Sequence, residues 1–479
     1  MSMKKKKKSR QERLWIPHDA VASSPGHPFY EQLGRVLREE EFDLFVESKC
    51  SPYYAKKQGR PSIPPGVYFR MLLIGYFERI DSERGICWRC SDSLSLREFL
   101  GLGLEERTAD HSSLSRIRNR LPLEVHEAVF GWVLEVLASR GMIDGKTLGV
   151  DATTLEANAA LRSIVRRDTG ESYESFLEEL ARKSGVEEPS RAELAKLDKK
   201  RPKKGSNKEW VNPNEPDAEI MKMKGGGTHL AHKAEHAVDM SGEGAVIAVT
   251  LHGGANGDTK SLPDTLEKAQ SNLQELADNA QCCERIHEDA GREVVADKGY
   301  HSNNTLLALH EEEYRSYISE PARGGRKWKD KPDEQAVTYA NRRRIRGTRG
   351  KRLIRRRGEL LERPFAHYLE AGGMRRTHLR RHDNILKRLL THVAGFNLGI
   401  LMRNLIGKAT PKEYAELKGS LVDALWRFSS AVNSCFPSMQ TEGRSDSAIP
   451  PNPSANHIFF ELAHQTFSVR RIGAFSPGC

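Results

Sequence analysis

The sequence predicts a mixed α/β fold in which helices cover one sheet, with a helical region before and after it in the chain. Apolar residues follow helical spacing from Pro28 to about Leu137 and again from Gly358 onward. Between these regions, short apolar runs bounded by turn signals alternate with helical stretches. Such alternation is typical of a sheet packed by helices on its faces.

The composition favours a polyanionic partner. The chain has 479 residues, with 76 Lys and Arg against 65 Asp and Glu and a net charge of +11. Residues 323–357 alone hold 15 basic and 3 acidic residues, a net charge of +12, so the rest of the chain is close to neutral. A basic cluster of this kind is suited to nucleic acid, which it holds by displacing counterions from phosphates.

The first 140 residues predict a basic arm followed by a helical DNA-binding domain. Residues 1–14 form the arm, because the run of lysines from Lys4 is not followed by the apolar stretch of a signal peptide. In the domain, residues 15–140, Pro64 and Pro65 are placed to open a helix through Val67 to Phe77.

The stretch TADHSSLSRIRNRLP predicts a small helix with Asp110 as its N-cap. Leu114 and Ile117 share one face, and the arginines point largely elsewhere. These arginines are candidate DNA contacts, namely Arg116, Arg118 and Arg120. An ordinary surface helix would have the same pattern.

The α/β domain is predicted to span residues 141–408. A short apolar strand in KTLGVDATTLEAN runs into a turn at Asp151, and a strand in EVVADKGY ends at Asp297. THLAHKAEHAVDM and GAVIAVTLHGG predict a hairpin, and Arg315 to Ile318 another strand. Helices are expected at Asp264 to Ala277 and Asn304 to Glu313. A charged insertion spans residues 160–225, with helix expected between 172 and 204, and residues 409–479 predict a helix near Glu413 to Val432 and a polar tail from Pro437.

Asp151 and Asp297 are the first candidates for chemistry. Each follows an apolar strand, and side chains at strand ends leave the packed layer and meet solvent. Carboxylates gathered in one place need cations, and Mg²⁺ or Mn²⁺ fits their oxygen ligands. Two such ions can activate an attacking water or 3′ hydroxyl and stabilise the leaving oxygen of a phosphodiester. Taken singly, either residue could instead cap a helix or form a turn.

Three ordered blocks carry a resemblance to a known family: GVDATTLEANA, VVADKGYHS and RGELLERPFAHYLEAGGMRRTHLRR. Together they resemble bacterial insertion-sequence transposases of the DDE type. The similar branch is that of insertion element eleven-eighty-two, within the insertion-element four and five assemblage. GRPSIPPGVYFRMLLIGYFERIDSERG, DSLSLREFLGL and DHSSLSRIRNRL are similar to the helical N-terminal region of the same branch. The resemblance covers Trp15 to Leu405.

The resemblance implies a ribonuclease H-like core with an acid on its first strand, an acid on its fourth strand and a glutamate on a later helix. By motif these are Asp151, Asp297 and Glu362, which would be both catalytic residues and metal ligands. Glu359, in the same block, is the alternative third acid. Glu362 lies two residues before Pro364, so it is expected near the start of a helix.

The chain departs from the family pattern at several positions. Where the assemblage often has Tyr, Arg and Lys around the glutamate, this chain has Arg355, Gly358 and Leu369. Phosphate contacts could come instead from nearby basic residues: Arg355, Arg356, Arg357, His367, Arg375 and Arg376. An expected Leu-Arg-Gly is replaced by LRR ending at Arg381, which could alter a turn.

The expected partner is double-stranded DNA, both the terminal inverted repeats of the element and the target, bound by a homodimer or a higher multimer. Further candidate contacts are Lys298, Tyr300, Arg342, Arg343 and Arg344, and Trp328 and Tyr339 could stack on unpaired bases. No membrane span is expected, because charged residues and His392 interrupt the most apolar stretch, Leu386 to Leu405. With 7 scattered cysteines, the chain is expected in a reducing bacterial cytoplasm, at the nucleoid.

Two other metal patterns are disfavoured. His229, His232 and His236 do not all share one strand face, so a structural or DNA-facing role is favoured over a metal site. Cys87 and Cys90 lack a partner pair for zinc. Two alternative functions stay open: a DNA-binding derivative that has lost catalysis, and a nuclease without strand transfer.

Overall fold

A computed structural model describes residues 26–55, 62–201, 205–223, 226–322, 324, 326 and 328–415. The predicted basic arm and the polar tail from Pro437 lie outside these residues. Most of the helix expected near Glu413 to Val432 also lies outside them.

The N-terminal region is helical, as its apolar spacing predicts. Its helices are α1 (Pro28–Glu39), α2 (Phe42–Cys50), α3 (Pro65–Phe77), α4 (Glu83–Asp92), α5 (Leu94–Phe99), α6 (His111–Arg120) and α7 (Leu123–Ala138). Pro65 opens α3, where the missing N–H leaves no intrahelical bond unmade. Asp110 caps α6 by accepting a hydrogen bond from the backbone N–H of Ser112 at 3.2 Å. Both helix starts are therefore confirmed.

The α/β region contains a six-stranded mixed sheet and a separate two-stranded ladder. The strands are β1 (Thr147–Glu156), β2 (Val165–Arg166), β3 (Trp210–Val211), β4 (Glu219–Lys222), β5 (Thr228–Asp239), β6 (Val246–Gly253), β7 (Glu293–Ala296) and β8 (Arg315–Ile318). β5 pairs antiparallel with β4 and β6 along one edge and with β1 along the other. β1, β7 and β8 are parallel neighbours. The predicted hairpin and the strands before Asp297 and at Arg315 are confirmed.

The remaining helices cover the sheet or fill the insertion. The insertion holds α8 (Tyr173–Lys183) and α9 (Arg191–Lys200), beside the ladder of β2 and β3. After β6 come α10 (Asp258–Asp278), α11 (Asn303–Glu311), α12 (Pro332–Arg346), α13 (Thr348–Phe365), α14 (His382–Ile406) and α15 (Pro411–Ala415). Along β5, Glu235 contacts α10 whereas His236 contacts Phe365 of α13. Since consecutive strand residues face opposite sides, α10 and α13 cover opposite faces of the sheet.

The helix α14 packs between the N-terminal helices and the sheet. An added Cβ at Gly395 would lie 2.4 Å from the ring of Tyr76 on α3, so the two helices approach closely there. On the sheet side, the Asn397 amide donates to the Val246 carbonyl at 2.8 Å. His382–Tyr414 is long and apolar enough to cross a membrane, but 72% of its most apolar window is buried inside the protein. That burial is what a core helix requires.

Two local expectations are wrong. β1 does not turn at Asp151 but continues to Glu156, because its antiparallel pairing with β5 extends to that residue. Glu362 is not near a helix start but in the last turn of α13, with Pro364 inside the helix. Proline is tolerated there because it disrupts only the end of the helix, and a π-helical turn, Ala366–Ala371, follows it directly.

Candidate active site

Asp151 and Asp297 lie side by side on neighbouring strands. The parallel register between β1 and β7 ends at the pair Val150 and Ala296, so the two aspartates are the next residues on each strand. Residues in register on parallel neighbours point to the same face, with their strands about 4.8 Å apart. Two carboxylates are therefore gathered on one face of the sheet where the β1–β7 pairing ends.

A single arginine links the two carboxylates. Nη1 of Arg357 lies 3.3 Å from Oδ2 of Asp151, and Nη2 of the same guanidinium lies 3.6 Å from Oδ1 of Asp297. The three side chains are 19%, 26% and 45% exposed, in the order Arg357, Asp151 and Asp297. The aspartates thus share one cation supplied by the protein, in a partly buried setting.

A glycine lets α13 approach this face. A Cβ added at Gly149 would lie 2.5 Å from Cδ1 of Leu361 and 2.7 Å from Sδ of Met240. Gly149 precedes Asp151 by two residues and so faces the same side of the sheet. Leu361 follows Arg357 by one helical turn, so the packing of Leu361 on Gly149 sets Arg357 over the aspartates.

The predicted third acid is not gathered with the other two. Glu362 and Glu359 are both exposed on α13. At about 100° per residue, Glu362 lies about 140° around the helix from Arg357, and Glu359 about 160° on the other side. In the part of the chain that the structure describes, no three His, Cys, Asp or Glu side chains form a group that could hold a metal ion. The choice between Glu362 and Glu359 stays a prediction.

A buried polar network anchors the turn after Asp297. The Tyr300 hydroxyl donates to Oε1 of Glu235 at 2.8 Å, and the hydroxyls of Ser261 and Thr265 donate to the same carboxylate at 2.7 and 2.6 Å. Burial and the Glu235 carboxylate raise the pKa of Tyr300, so its hydroxyl keeps its proton. Tyr300 is only 1% exposed, which excludes it as a surface contact for DNA.

In the sequence, the only sign of this network is a weak one: two charged residues inside a predicted strand. Lys233 and Glu235 lie on β5, with Nζ of Lys233 3.5 Å from Oε1 of Glu235 and 2.7 Å from Oδ1 of Asp258. Both side chains are nearly or fully buried. Charges in a buried strand must be paired, and here α10 supplies the partners.

His236 lines the site from the strand beside Asp151. The two residues are direct partners in the antiparallel register of β1 and β5, so they share a face. The ring packs on Phe365, and its Nδ1 is within hydrogen-bond distance of the Tyr368 hydroxyl. Burial lowers the pKa of His236 to about 3, so the imidazole is neutral at physiological pH.

The candidate DNA contacts form two overlapping groups, residues with a partner inside the protein and residues that face solvent, and Arg375 and Arg376 belong to both. Side chains with partners inside the protein are Arg118 with Glu83, Arg342 with Glu320, Arg344 with the Ser316 carbonyl, Arg356 with the Gly242 carbonyl, Arg375 with Glu370, and Arg376 with Glu156. Exposed side chains are Arg116, Arg120, Lys298, Arg343, Arg355, Arg375 and Arg376. Contact with DNA stays a prediction for both groups.

The arginine-rich stretch is helical over most of its described length, as α12 and the start of α13. Trp328 and Tyr339 lie near each other, with ring centroids 6.2 Å apart. The guanidinium of Arg342 lies over the Tyr339 ring, 5.0 Å from its centroid, and Tyr339 is 40% exposed. Stacking of bases on these rings stays a prediction.

The other metal patterns have structural roles. His232 is buried, with its Nδ1 2.9 Å from Nε2 of His382, while His229 is partly exposed with Nδ1 3.6 Å from Glu156. Cys87 and Cys90 are buried free thiols, and burial raises their pKa values to about 11 and about 12. A thiol with so high a pKa is a poor metal ligand at neutral pH.

The position of the expected family glycine has an unusual backbone. Arg381 has φ 69° and ψ 138°, in the half of conformational space that glycine tolerates and other residues avoid. Its backbone N–H donates to Oε1 of buried Glu215 at 2.8 Å. Arginine at this position therefore holds the turn in a strained backbone conformation.

Comparison with known proteins gives one match. The family described as Transposase domain (DUF772) matches residues 18–120. These residues include α1 to α6, six of the seven described α-helices that precede the sheet. No curated protein and no solved structure gives a significant match to the chain. The N-terminal region is thus similar to a transposase domain, which supports a transposase family and a role in transposition for this chain.

Proposed function

We propose that the chain is a DDE transposase that cuts DNA at the ends of an insertion sequence and joins them to a target with the help of divalent metal ions. The observation that carries this proposal is the placement of Asp151 and Asp297 side by side, both paired with one cation. Two partly buried carboxylates that share a cation are the start of a metal site for phosphodiester chemistry.

The order of the strands supports a ribonuclease H-like core. Without the strands of the insertion, the sheet reads β6, β5, β1, β7 and β8, with β5 antiparallel to both β6 and β1 and the last three strands parallel. In chain order the first and fourth of these strands are β1 and β7. They carry Asp151 and lead into Asp297, which is where the family resemblance expects the first two acids.

Asp151 and Asp297 would hold Mg²⁺ or Mn²⁺, and Glu362 or Glu359 would complete the ligands after a movement of α13. When bound, the metal ions supply charge stabilisation for the attacking and leaving oxygens of the phosphodiester. The chain's own residues prepare the site. The Tyr300 anchor fixes the turn after Asp297, and His236 stays neutral and adds no positive charge beside Asp151.

The partner we propose is double-stranded DNA carrying the inverted repeats of an insertion sequence of the eleven-eighty-two branch, bound by at least a dimer in the bacterial cytoplasm. The basic helix α13 lies next to the aspartates, because it carries Arg357, and the basic helix α12 directly precedes α13 in the chain. We propose that their exposed arginines, with those of α6, contact phosphates.

The test is Mg²⁺-dependent cleavage of DNA that carries the element end. Asp297→Asn keeps the size of the side chain but removes its charge, and we expect it to abolish cleavage while binding of the same DNA persists. Asp289→Asn, an exposed aspartate outside the site, is the matched control and should cleave normally. Full cleavage by Asp297→Asn would sink the assignment.

A second measurement separates a transposase from a nuclease. The wild-type chain is given an element end that is already cut, with its 3′ hydroxyl free, and a supercoiled target. Joined products support strand transfer. Cleavage of intact ends without any joining would instead assign the chain as a nuclease.

A further inference from the structure

We infer that Arg357 is a built-in counter-ion that occupies the cation position between Asp151 and Asp297 and must be displaced before a divalent metal ion binds them. The inference rests on the proposed function in one respect, namely that these aspartates bind metal. The new element is that Arg357 controls how tightly the two aspartates bind metal.

The contacts define a position that one cation fills. Each terminal nitrogen of the Arg357 guanidinium faces a different carboxylate, at 3.3 Å and 3.6 Å. A guanidinium is planar and keeps its charge at any pH at which the protein is folded, so it offers the two carboxylates a permanent positive charge. Metal ligation by the same carboxylates requires this charge to move away.

Arg357 can leave the aspartates by a movement of its own side chain; the movement of α13 that would bring in Glu362 or Glu359 is a separate, later step. Leu361, one turn later, packs on Gly149 and fixes α13 against the sheet. The neighbouring Arg356 donates to the Gly242 carbonyl at 2.7 Å and so is held away from the aspartates. Arg357 itself is 19% exposed and has a path to solvent.

Displacement gives the guanidinium a second use. Once a metal ion neutralises the aspartates, the two terminal nitrogens of Arg357 are released beside the site where a phosphodiester would lie. A guanidinium can bind phosphate through two parallel hydrogen bonds. Arg357 therefore opposes metal binding without DNA and, once displaced, is free to bind a phosphate of the DNA.

The test is a calorimetric titration of the full chain with Mn²⁺, without DNA. A positive charge 3.3 Å and 3.6 Å from the two carboxylates opposes a second cation at the same oxygens, and this repulsion should weaken metal binding at least about tenfold. Arg357→Gln should therefore bind Mn²⁺ at least about tenfold more tightly than the wild type. Arg352→Gln removes the same charge from an exposed position on the same helix and should match the wild type.

A second readout does not depend on metal. In the presence of a chelator, Arg357→Gln leaves the two carboxylates to repel each other and should melt at a lower temperature than Arg352→Gln. Added Mn²⁺ should raise the melting temperature of Arg357→Gln more than that of Arg352→Gln. Arg357→Lys keeps the charge but not the two-pronged shape, and should fall between Arg357→Gln and the wild type in both measurements.

The outcomes separate the two proposals. If the wild type and Arg357→Gln bind Mn²⁺ equally and Asp297→Asn binds none, the metal site stands and the role of Arg357 is wrong. If no variant binds Mn²⁺, both the metal site and the role of Arg357 are wrong. If Arg357→Gln binds Mn²⁺ more tightly than the wild type, and the double variant with Asp297→Asn binds none, both the metal site and the role of Arg357 are supported. Equal melting of Arg357→Gln and Arg352→Gln in chelator would also overturn the role of Arg357.

Discussion

The imidazole of His236 stacks on the phenyl ring of Phe365, with ring centroids 3.8 Å apart and planes 7° apart. This contact joins β5, beside Asp151, to the end of α13 that carries Glu362. The π-helical turn that starts after Phe365 brings Tyr368 back onto the same imidazole. The sheet and the helix with the predicted third acid are therefore tied together at one buried histidine.

Phe365→Ala should destabilise the protein by about 3 to 5 kcal/mol, because it removes a buried aromatic side chain and leaves a cavity over His236. The measurement is the free energy of unfolding from urea denaturation. Leu104→Ala, at a side chain that is 46% exposed, is the control and should cost less than about 1 kcal/mol. Equal losses in the two variants would contradict the packing role of Phe365.

Stability should fall as the pH falls below about 6.5. Burial lowers the pKa values of His126, His236 and His392 to about 3, whereas each is near 6.5 in an unfolded chain. Between these values the unfolded chain binds protons that the folded chain does not, so acid favours unfolding. Three such groups give a limiting slope of about 4 kcal/mol per pH unit.

The matched pair for this slope is His126→Gln and His310→Gln. His126 is 2% exposed. Its loss should reduce the slope of the unfolding free energy against pH by about 1.4 kcal/mol per pH unit, the contribution of one proton. Urea unfolding at several pH values measures this slope. His310 is exposed, so its replacement should leave the slope unchanged. An unchanged slope in His126→Gln would show that His126 does not contribute to the pH dependence.

Glu235→Ala should cost about 3 to 5 kcal/mol of stability, because it leaves Lys233 and three hydroxyls buried without the carboxylate that binds them. Urea denaturation measures the loss. Glu267→Ala removes an exposed carboxylate from α10 and should change stability by less than about 0.5 kcal/mol. A loss below 1 kcal/mol in Glu235→Ala would mean that Asp258 alone neutralises Lys233 and that the three hydroxyls do not need the carboxylate.

Arg381→Gly should stabilise the protein by about 1 kcal/mol, because its φ of 69° strains arginine but not glycine. This value already includes the opposing effect of glycine, which has more conformational freedom in the unfolded chain and so favours unfolding. Arg380→Gly is the control, since it has the same change of composition at a position without a positive φ, and it should destabilise. A lower melting temperature for Arg381→Gly would show that the arginine side chain compensates for the strain.

Local signals in the sequence predicted much of the fold. The hairpin of β5 and β6 follows from two apolar runs around a Ser-Gly-Glu-Gly turn, and α3 and α6 begin where Pro65 and Asp110 predict. These features depend on residues close in the chain. The parallel pairing of β1 and β7 was not predicted, because it joins distant segments of the chain.

The errors have the same cause. β1 runs past Asp151 because β5, about eighty residues later, pairs with it. α13 continues through Glu362 because Leu361 packs on Gly149, which outweighs the local effect of Pro364. Arg357 was one of several basic residues considered for phosphate contact, and only the packing of α13 distinguishes it. Glu362 was placed by motif alone, and the structure does not bring it to the aspartates.

The packing of α14 between α3 and the sheet has a consequence for how such chains can be recombined. Residues 15–140 are the predicted DNA-binding domain, yet one continuous core of buried side chains runs from Phe29 to Met402. In a chimera that exchanges only residues 15–140 between relatives, the N-terminal helices of one protein would pack against α14 of the other. Retargeting by domain exchange should succeed only when α14 is transplanted together with the helices that it supports.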